Sequence, residues 1–212
     1  MVVLIMPINN VEQLGDLHFD VLREIGSIGS GNAASALSGL LNCETSIAVP
    51  KVTLLDFNES VNFLGGPENI VIGMLVDIKG DITAMMLYVL QREFADKMAS
   101  AVFGSNISDI LSMNEMETSF ISEIGNILGA SYINAIAQLT GLAIDISIPY
   151  MTIDMAGAIL SVPTIHFAQV GDKVLFIDDC FSIGDDAIKS NMILVPEMKS
   201  LETLFSKLGV NH

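Results

Sequence analysis

The sequence predicts an α/β fold of the α+β type, built as an internal repeat with pseudo-twofold symmetry. Two long helices, each carrying a polar motif, are expected to cover one mostly antiparallel sheet. A polar pattern occurs twice with the same internal spacing, and each member of the second copy follows its counterpart by 99 positions. The succession helix, strand, hairpin, helix fits both halves of the chain, which indicates repeats at about residues 16–104 and 114–209. Of the 212 residues, 51% are hydrophobic, which indicates a packed globular fold. Because strands of both halves can join one sheet, we expect a single domain, residues 1–212.

The charge balance is strongly acidic. The chain has 9 Lys and Arg against 25 Asp and Glu, a formal net charge of −16. Such a surface repels phosphate backbones, so nucleic-acid binding is not expected. A protein partner with basic residues around its own site is favoured instead.

Cysteine usage and the uncharged runs predict a cytoplasmic protein without membrane insertion. Cys43 and Cys180 form no CxxC pair and are predicted to be reduced, largely buried thiols. The N-terminus lacks the basic region and cleavage site of a signal peptide. Residues 25–43 and 124–144 are uncharged, but their polar residues and glycines indicate buried helices rather than membrane spans.

The first element after a loose lead-in at residues 1–15 is a long helix over residues 17–41, with Asp16 as its N-cap. Gly26, Gly29 and Gly31 each cost about 1 kcal/mol relative to Ala within a helix. We therefore expect another backbone, that of the second long helix, to pass close to them. The same glycines do not indicate a P-loop, because a preceding strand and the Lys-Ser/Thr pair are missing.

The rest of the first half is predicted to be β-rich until its final helix. Residues 45–55 indicate a strand, with Pro50 at an edge or bulge because proline donates no ladder hydrogen bond. Residues 64–67 indicate a turn, and the runs 69–79 and 81–90 indicate a hairpin around Gly80. Residues 92–103 form an amphipathic helix ended by Gly104, and residues 106–113 form a connector.

The second half is predicted to repeat this order. Asn114 caps a long helix that runs through Leu139 and stops at Gly141, and residues 144–154 form a strand. Residues 158–169 and 173–181 are predicted to form a hairpin around Val170, Gly171 and Asp172. A further strand at residues 191–196 and a closing helix at residues 201–208 complete the repeat.

The second copy of the polar pattern lies on the second long helix. Ser119, Glu123 and Asn126 stand at i, i+4 and i+7, which places them along one helix face. Pro149 follows in the next strand. A carboxylate and a side-chain amide are thus presented together from a rigid element.

The first copy keeps the spacing but lacks the amide. It consists of Asp20, Glu24 and Ser27, followed by Pro50. Spacing alone leaves two interpretations open, since these residues could serve only the frame of the fold or could form a site.

Other residue types give weaker signals. His18, His166 and His212 are far apart in sequence and are predicted to be surface or structural residues. No Cys, His and Asp cluster has the spacing of metal ligands, so no metal site is predicted.

The two motifs resemble the signature of the CheC family of chemotaxis phosphatases, which includes CheC, CheX and FliY proteins. The second copy is similar to the full signature of Asp or Ser, three residues, Glu, two residues, Asn, twenty-two residues and Pro. The first copy resembles the opening of such a protein, and the likeness extends over about residues 17–208.

The resemblance implies a phosphatase that removes the phosphoryl group from the aspartate of the response regulator CheY, which ends the signal to the flagellar motor. By the family's mechanism, Asn126 orients the attacking water and Glu123 pairs with a lysine of the regulator. Ser119 and Pro149 support the second motif, as Asp20 and Pro50 support the first. The regulator supplies the Mg²⁺, so the phosphatase is expected to need no cofactor of its own. The family resemblance also implies a monomer.

Two alternatives remain open. Glu24 and Ser27 are expected to form a site that is weaker or serves binding, because a hydroxyl is shorter than an amide and lacks its paired donor and acceptor. The protein could therefore act mainly as a non-catalytic adaptor that binds phosphorylated CheY and controls the receptor deamidase CheD, another partner implied by the family. A flagellar switch protein of the FliY type is less favoured, because no further domain follows the second repeat.

Overall fold

The computed structural model of the protein describes residues 10–170, 173–183 and 186–210, with the backbone alone at residues 164–170. The first half contains α1 (Asp16–Leu41), β1 (Thr45–Ile47), β2 (Lys51–Asp56), α2 (Phe57–Phe63), β3 (Ile70–Gly80), β4 (Ala84–Gln91) and α3 (Arg92–Phe103). The second half contains α4 (Glu115–Thr140), β5 (Ile144–Ile146), β6 (Tyr150–Met155), α5 (Ala156–Val170), β7 (Lys173–Ile183), β8 (Asp186–Pro196) and α6 (Met198–Lys207). The order α, β, β, α, β, β, α thus occurs twice.

The strands form one sheet in which every described pairing is antiparallel. Its order is β1–β7–β8–β4–β3–β5, with β2 also on β7 and β6 also on β3. The centre of the sheet joins the two halves, where Leu87 of β4 lies opposite Ile193 of β8. The edge strands of each half lie against the hairpin of the other half. The prediction of a mixed fold with a mostly antiparallel sheet is therefore confirmed.

Alternate strand residues face two helical layers. Ile72, Met74 and Val76 belong to the core beneath the motif helices α1 and α4. Val71 and Phe176 belong to a second, smaller core beneath α2 and α5. The period of two along β3 places successive side chains on opposite faces, which is why its residues alternate between the two cores.

The glycines of α1 have different surroundings. A Cβ on Gly29 would lie 3.0 Å from the Cα of Tyr132 in α4, so the predicted approach of the second long helix is confirmed there. A Cβ on Gly26 would lie 2.7 Å from Cγ of Pro50, so a proline rather than α4 excludes a side chain. Nothing lies within 4 Å of such an atom on Gly31, and the prediction is wrong at that position.

The predicted strand at residues 158–169 is wrong, because this segment lies in helix α5. Ile159 and Leu160 are both buried in the second core, which an apolar helix on this face of the sheet allows. The backbone amides of Ala156 and Gly157 donate to the carbonyls of Asn69 and Pro67, and these bonds hold the start of α5. Tertiary packing here overrides β-propensity and the proline within the helix. The predicted hairpin around Val170 is therefore also wrong, and Gly171 and Asp172 lie outside the described residues.

Helix α2 was not predicted, although the spacing of Asp56 and Glu59 in the sequence is typical of the start of a helix. The Asp56 carboxylate accepts from the Glu59 amide at 2.8 Å, and the Glu59 carboxylate accepts from the Asp56 amide at 2.8 Å. This reciprocal arrangement is a capping box.

The predicted N-cap of the first long helix is wrong, because Asp16 is the first residue of α1 and not its N-cap. The helix is capped by Gly15, whose amide donates to Nδ1 of His18 at 3.0 Å.

Other predicted elements agree closely with the structure. Helix α3 has the predicted bounds, and Gly104 ends it with a positive φ of 72°. Helix α4 begins after Asn114 and ends at Gly141, as predicted. Within the described part of the chain, no helix is both long and apolar enough to cross a membrane.

Candidate active site

The second motif occupies the exposed face of α4. Phe120, Ile121 and Ile124 are buried in the core, and Ser119 and Glu123 on the opposite face are exposed to solvent. Asn126 is half-buried, and its Nδ2 donates to Oε2 of Glu123 at 3.3 Å. The carboxylate and the amide are therefore neighbours, as the i, i+3 spacing requires.

The start of α4 holds this face in a fixed position. Oδ1 of Asn114 accepts from the backbone amides of Met116 and Glu117 at 2.9 and 3.0 Å. The Glu117 carboxylate accepts in turn from the Asn114 amide at 2.9 Å. Two amides that the helix itself cannot satisfy are thereby bonded, and the helix begins one turn before Ser119.

Pro149 lies in a bulge that interrupts the edge of the sheet. Ile146 pairs with Ile78 and Tyr150 pairs with Leu75, so residues 147–149 oppose only two residues of β3. Ser147 bonds Asp77 twice, through its amide at 2.9 Å and its hydroxyl at 3.0 Å. Proline fits this position because no ladder bond requires its missing N–H.

The bulge passes beside the turn of α4 that carries Asn126. On one side of it, the Ser122 hydroxyl lies 3.9 Å from the sulfur of Met151. On the other side, a Cβ on Gly129 would lie 3.9 Å from Cδ1 of Ile146. Since these contacts bracket residues 122–129 of the helix, the bulge runs alongside Asn126.

The first motif has the same layout with different side chains. Asp20 and Glu24 are exposed, and Ser27 is half-buried. Pro50 lies in the equivalent bulge, where the Ala48 amide donates to the Cys180 carbonyl at 3.0 Å. The structure thus places the four residues of each motif together along a helix and its neighbouring bulge, and the two motifs lie on separate helices.

Sequence reasoning missed a cation within the first motif. Arg23 donates to the Asp20 carboxylate at 2.7 Å, whereas the equivalent position of the second motif is the neutral Ser122. A search for unequal charge between the two copies of the repeat would have found it. The first motif therefore holds an acid and a base as an ion pair at two positions where the second motif has the neutral Ser119 and Ser122.

Sequence reasoning also missed a buried polar cluster between the motif helices. Tyr132 of α4 donates to the Asp179 carboxylate at 2.6 Å, and Ser30 of α1 donates to it at 3.0 Å. Burial raises the pKa of Asp179 to about 6, while the two hydrogen bonds act in the opposite direction. The carboxylate is 1% exposed, so it fastens the two helices to β7 and does not face a substrate.

The histidines form no second candidate site among the described residues. His18 is buried, with its ring 4.6 Å from that of Phe205 in an edge-on arrangement. The side chain of His166 and the whole of His212 lie outside the described residues. Among the described side chains, no group of three or more His, Cys, Asp or Glu is placed to hold a metal ion.

Comparison with known proteins identifies the family. The sequence model of the CheC-like family matches residues 17–54 and 116–150, and these two segments contain all eight motif residues. The CheY-P phosphatase CheC of Bacillus subtilis is 36% identical over 198 residues, which cover 91% of this chain and 94% of that protein. The chain belongs to the CheC-like family.

Two FliY proteins are also similar to this chain. The flagellar motor switch phosphatase FliY of Bacillus subtilis is 27% identical over 143 residues, which cover 67% of this chain and 37% of FliY. The crystal structure of Thermotoga maritima FliY superposes with a TM-score of 0.72 at 21% identity, covering 93% of this chain and 98% of that one. At that identity the superposition shows a shared fold.

Proposed function

We propose that this protein is a phosphatase that hydrolyses the aspartyl phosphate of the chemotaxis response regulator CheY, with the second motif as its working site. The observation that carries the proposal is the pair formed by Asn126 and Glu123, an amide and a carboxylate 3.3 Å apart on an exposed, firmly capped helix. The name of the Bacillus subtilis relative, a CheY-P phosphatase, supports the same reaction.

Asn126 is proposed to orient the attacking water. An acyl phosphate is already reactive, so a catalyst gains most by placing one water in line with the phosphorus atom. An amide suits this task because its oxygen accepts one hydrogen bond while its nitrogen donates two. One of the Nδ2 protons of Asn126 is engaged by Glu123, which leaves the amide oxygen and the second proton for the water.

Glu123 is proposed to dock the regulator through a lysine beside the phosphorylated aspartate. Its carboxylate is exposed, and the net charge of −16 makes the whole surface attractive to a basic rim. Mg²⁺ bound by the regulator would neutralise charge on the phosphoryl group, so the phosphatase is proposed to need no cofactor of its own. Ser119 and Pro149 would support the geometry of the site from the first turn of the helix and from the bulge.

The first motif is proposed to contribute binding more than hydrolysis. Ser27 offers a hydroxyl where the second motif has an amide, and Arg23 places a cation beside Asp20. Glu24 remains exposed and free to meet a basic residue of the regulator, and Pro50 holds the bulge against Gly26. The first motif would thus mainly bind the regulator, whereas the second would both bind it and carry out the hydrolysis.

The test is phosphate release from Mg²⁺-loaded, phosphorylated CheY. We expect the wild-type protein to accelerate release, Asn126→Ala to abolish the acceleration, and Asn134→Ala to retain it. Asn134 is a matched control because it is an exposed asparagine of α4 that lies outside the motif. Full activity of Asn126→Ala would contradict the proposal.

A second candidate function is favoured by the altered first motif. A site without the amide can bind phosphorylated CheY without hydrolysing it, which is what an adaptor for the deamidase CheD would need. A pull-down of CheD with and without activated CheY tests this role. Absence of a complex under both conditions would remove it.

A further inference from the structure

We propose that Met116 and Ile148, here called the docking pair, are the apolar contacts that seat the phosphorylated regulator on the second motif. This inference rests on the proposed function, since the regulator is its partner. Met116 is 67% exposed and Ile148 is 87% exposed, so both side chains are available for contact with a partner.

The docking pair brackets the motif in space. Met116 lies in the first turn of α4, ten residues before Asn126 and therefore about 15 Å away along the helix axis. Ile148 lies in the bulge that runs beside Asn126, immediately before Pro149. A typical interface covers about 800 Å² of each partner, so both residues fit within one footprint centred on Glu123.

The internal repeat places the same feature at the first motif. Leu17, the counterpart of Met116, is 58% exposed, and Val49, the counterpart of Ile148, is 76% exposed. Single exposed hydrophobic residues need no explanation, but two pairs at matching positions around both motifs are a pattern.

Local structure does not require these residues to be apolar. Met116 follows the first residue of its helix, where a hydrophobic staple would instead link the residue before the N-cap to the fourth helical position. A residue before proline must be extended, which a β-branched polar residue such as Thr satisfies as well as Ile. Apolar character at these positions is therefore better explained by a contact that forms on binding.

The charges around the pair define the partner's chemistry. Glu115, Glu117 and Glu123 are close in sequence to Met116 on the same helix. A matching surface needs apolar side chains beside basic ones, next to the phosphorylated pocket that Asn126 must reach. The proposed occupant is therefore the rim of the phosphorylation site of activated CheY.

The experiment measures binding of CheY activated with beryllofluoride, because this complex does not turn over. The variants are made in a Glu24→Gln background, so that binding at the first motif does not mask a loss at the second. We expect Met116→Ala and Ile148→Ala each to raise the Kd about fivefold or more, the loss typical of a residue that contributes to an interface. The control is Val162→Ala, which shortens a side chain 48% exposed on α5, on the other side of the sheet. It should leave the Kd unchanged.

The outcomes separate this inference from the proposed function. Unchanged affinity in both variants, with wild-type binding and hydrolysis intact, overturns the docking pair alone. Weakened binding in both variants, with a wild-type protein that binds but never hydrolyses, supports the docking pair and overturns the phosphatase. No binding of activated CheY to the wild-type protein overturns both.

Discussion

Tyr132 donates its hydroxyl to Asp179 at 2.6 Å in the interior of the protein, where the carboxyl group is 1% exposed. With Ser30, these residues connect α1, α4 and β7 at one point. The counterpart of Asp179 in the other half is Val76, because Asp178 and Leu75 pair with the equivalent residues Lys51 and Tyr150. The two halves of the core therefore differ at this point, and one of them holds a buried acid between the motif helices.

Asp179 should make stability depend on pH. Burial raises the pKa of this carboxyl from 3.8 to about 6, so the folded protein favours its protonated form. Its contribution is fully present below about pH 4 and is lost as pH rises through 6, a change of about 3 kcal/mol. Urea unfolding at a series of pH values measures this change. The free energy of unfolding of the wild type minus that of Asp179→Asn should fall as the pH rises from about 4 to above 6. A difference that is constant with pH would contradict the assignment.

A variant of Tyr132, which donates the hydrogen bond to Asp179, also tests whether the charge of this carboxyl group changes with pH. Tyr132→Phe removes a hydrogen bond to a group that is charged at high pH and neutral at low pH. Bonds to buried charged groups contribute about 1.5–3 kcal/mol, more than bonds between neutral groups. The loss in free energy of unfolding should therefore be larger at pH 8 than at pH 4.5, and equal losses would argue against a charged partner.

Glu123→Gln should weaken recognition of the regulator while leaving the chemical step intact. Glutamine keeps an oxygen that can accept from Asn126 but removes the charge proposed to meet a lysine. We expect KM for phosphorylated CheY to rise about tenfold at low ionic strength, with kcat nearly unchanged and a smaller effect of salt. Glu68→Gln, an exposed acid in the turn that holds α5, is the control. A fall in kcat at constant KM would assign Glu123 to catalysis instead.

Ser27→Asn should create activity at the first motif. The substitution is best made in Asn126→Ala, so that hydrolysis at the second motif does not mask the gain. Supplying a positioned amide should raise phosphate release at least about tenfold over the parent variant. Ser27→Ala in the same background should not. If activity stays flat while activated CheY still binds, Ser27 is not the limiting defect of the first motif, and Arg23 becomes the next position to change.

The stripe of Ser119, Glu123 and Asn126 could be predicted from sequence because a helix places every third and fourth residue on one face. The limits of α4 were also readable, from Asn114 at its start and Gly141 at its end. These features depend on neighbours in sequence, which is why local patterns suffice.

The buried cluster could not be predicted in the same way. Ser30, Tyr132 and Asp179 are far apart in the chain and meet only because the sheet interleaves strands of the two halves. The strand predicted in place of α5 has a related cause, since burial against the sheet outweighed the local preference of its residues. In both cases the deciding contacts are long-range.

Two glycines of α1 offer a matched test of helix packing. A Cβ at Gly29 would lie 3.0 Å from both Cα and Cγ of Tyr132, where the backbone of α4 cannot yield easily. Gly29→Ala should therefore lower the free energy of unfolding by about 1–3 kcal/mol, as overpacking does. Gly31 meets nothing within 4 Å, so Gly31→Ala should raise it by about 0.5–1 kcal/mol through helix propensity alone. Urea unfolding of the two variants measures both effects. Both variants make the same substitution in the same helix. If one raises and the other lowers the free energy of unfolding, contact with Tyr132 explains the difference. If both change it in the same direction, the close approach of α1 and α4 is refuted.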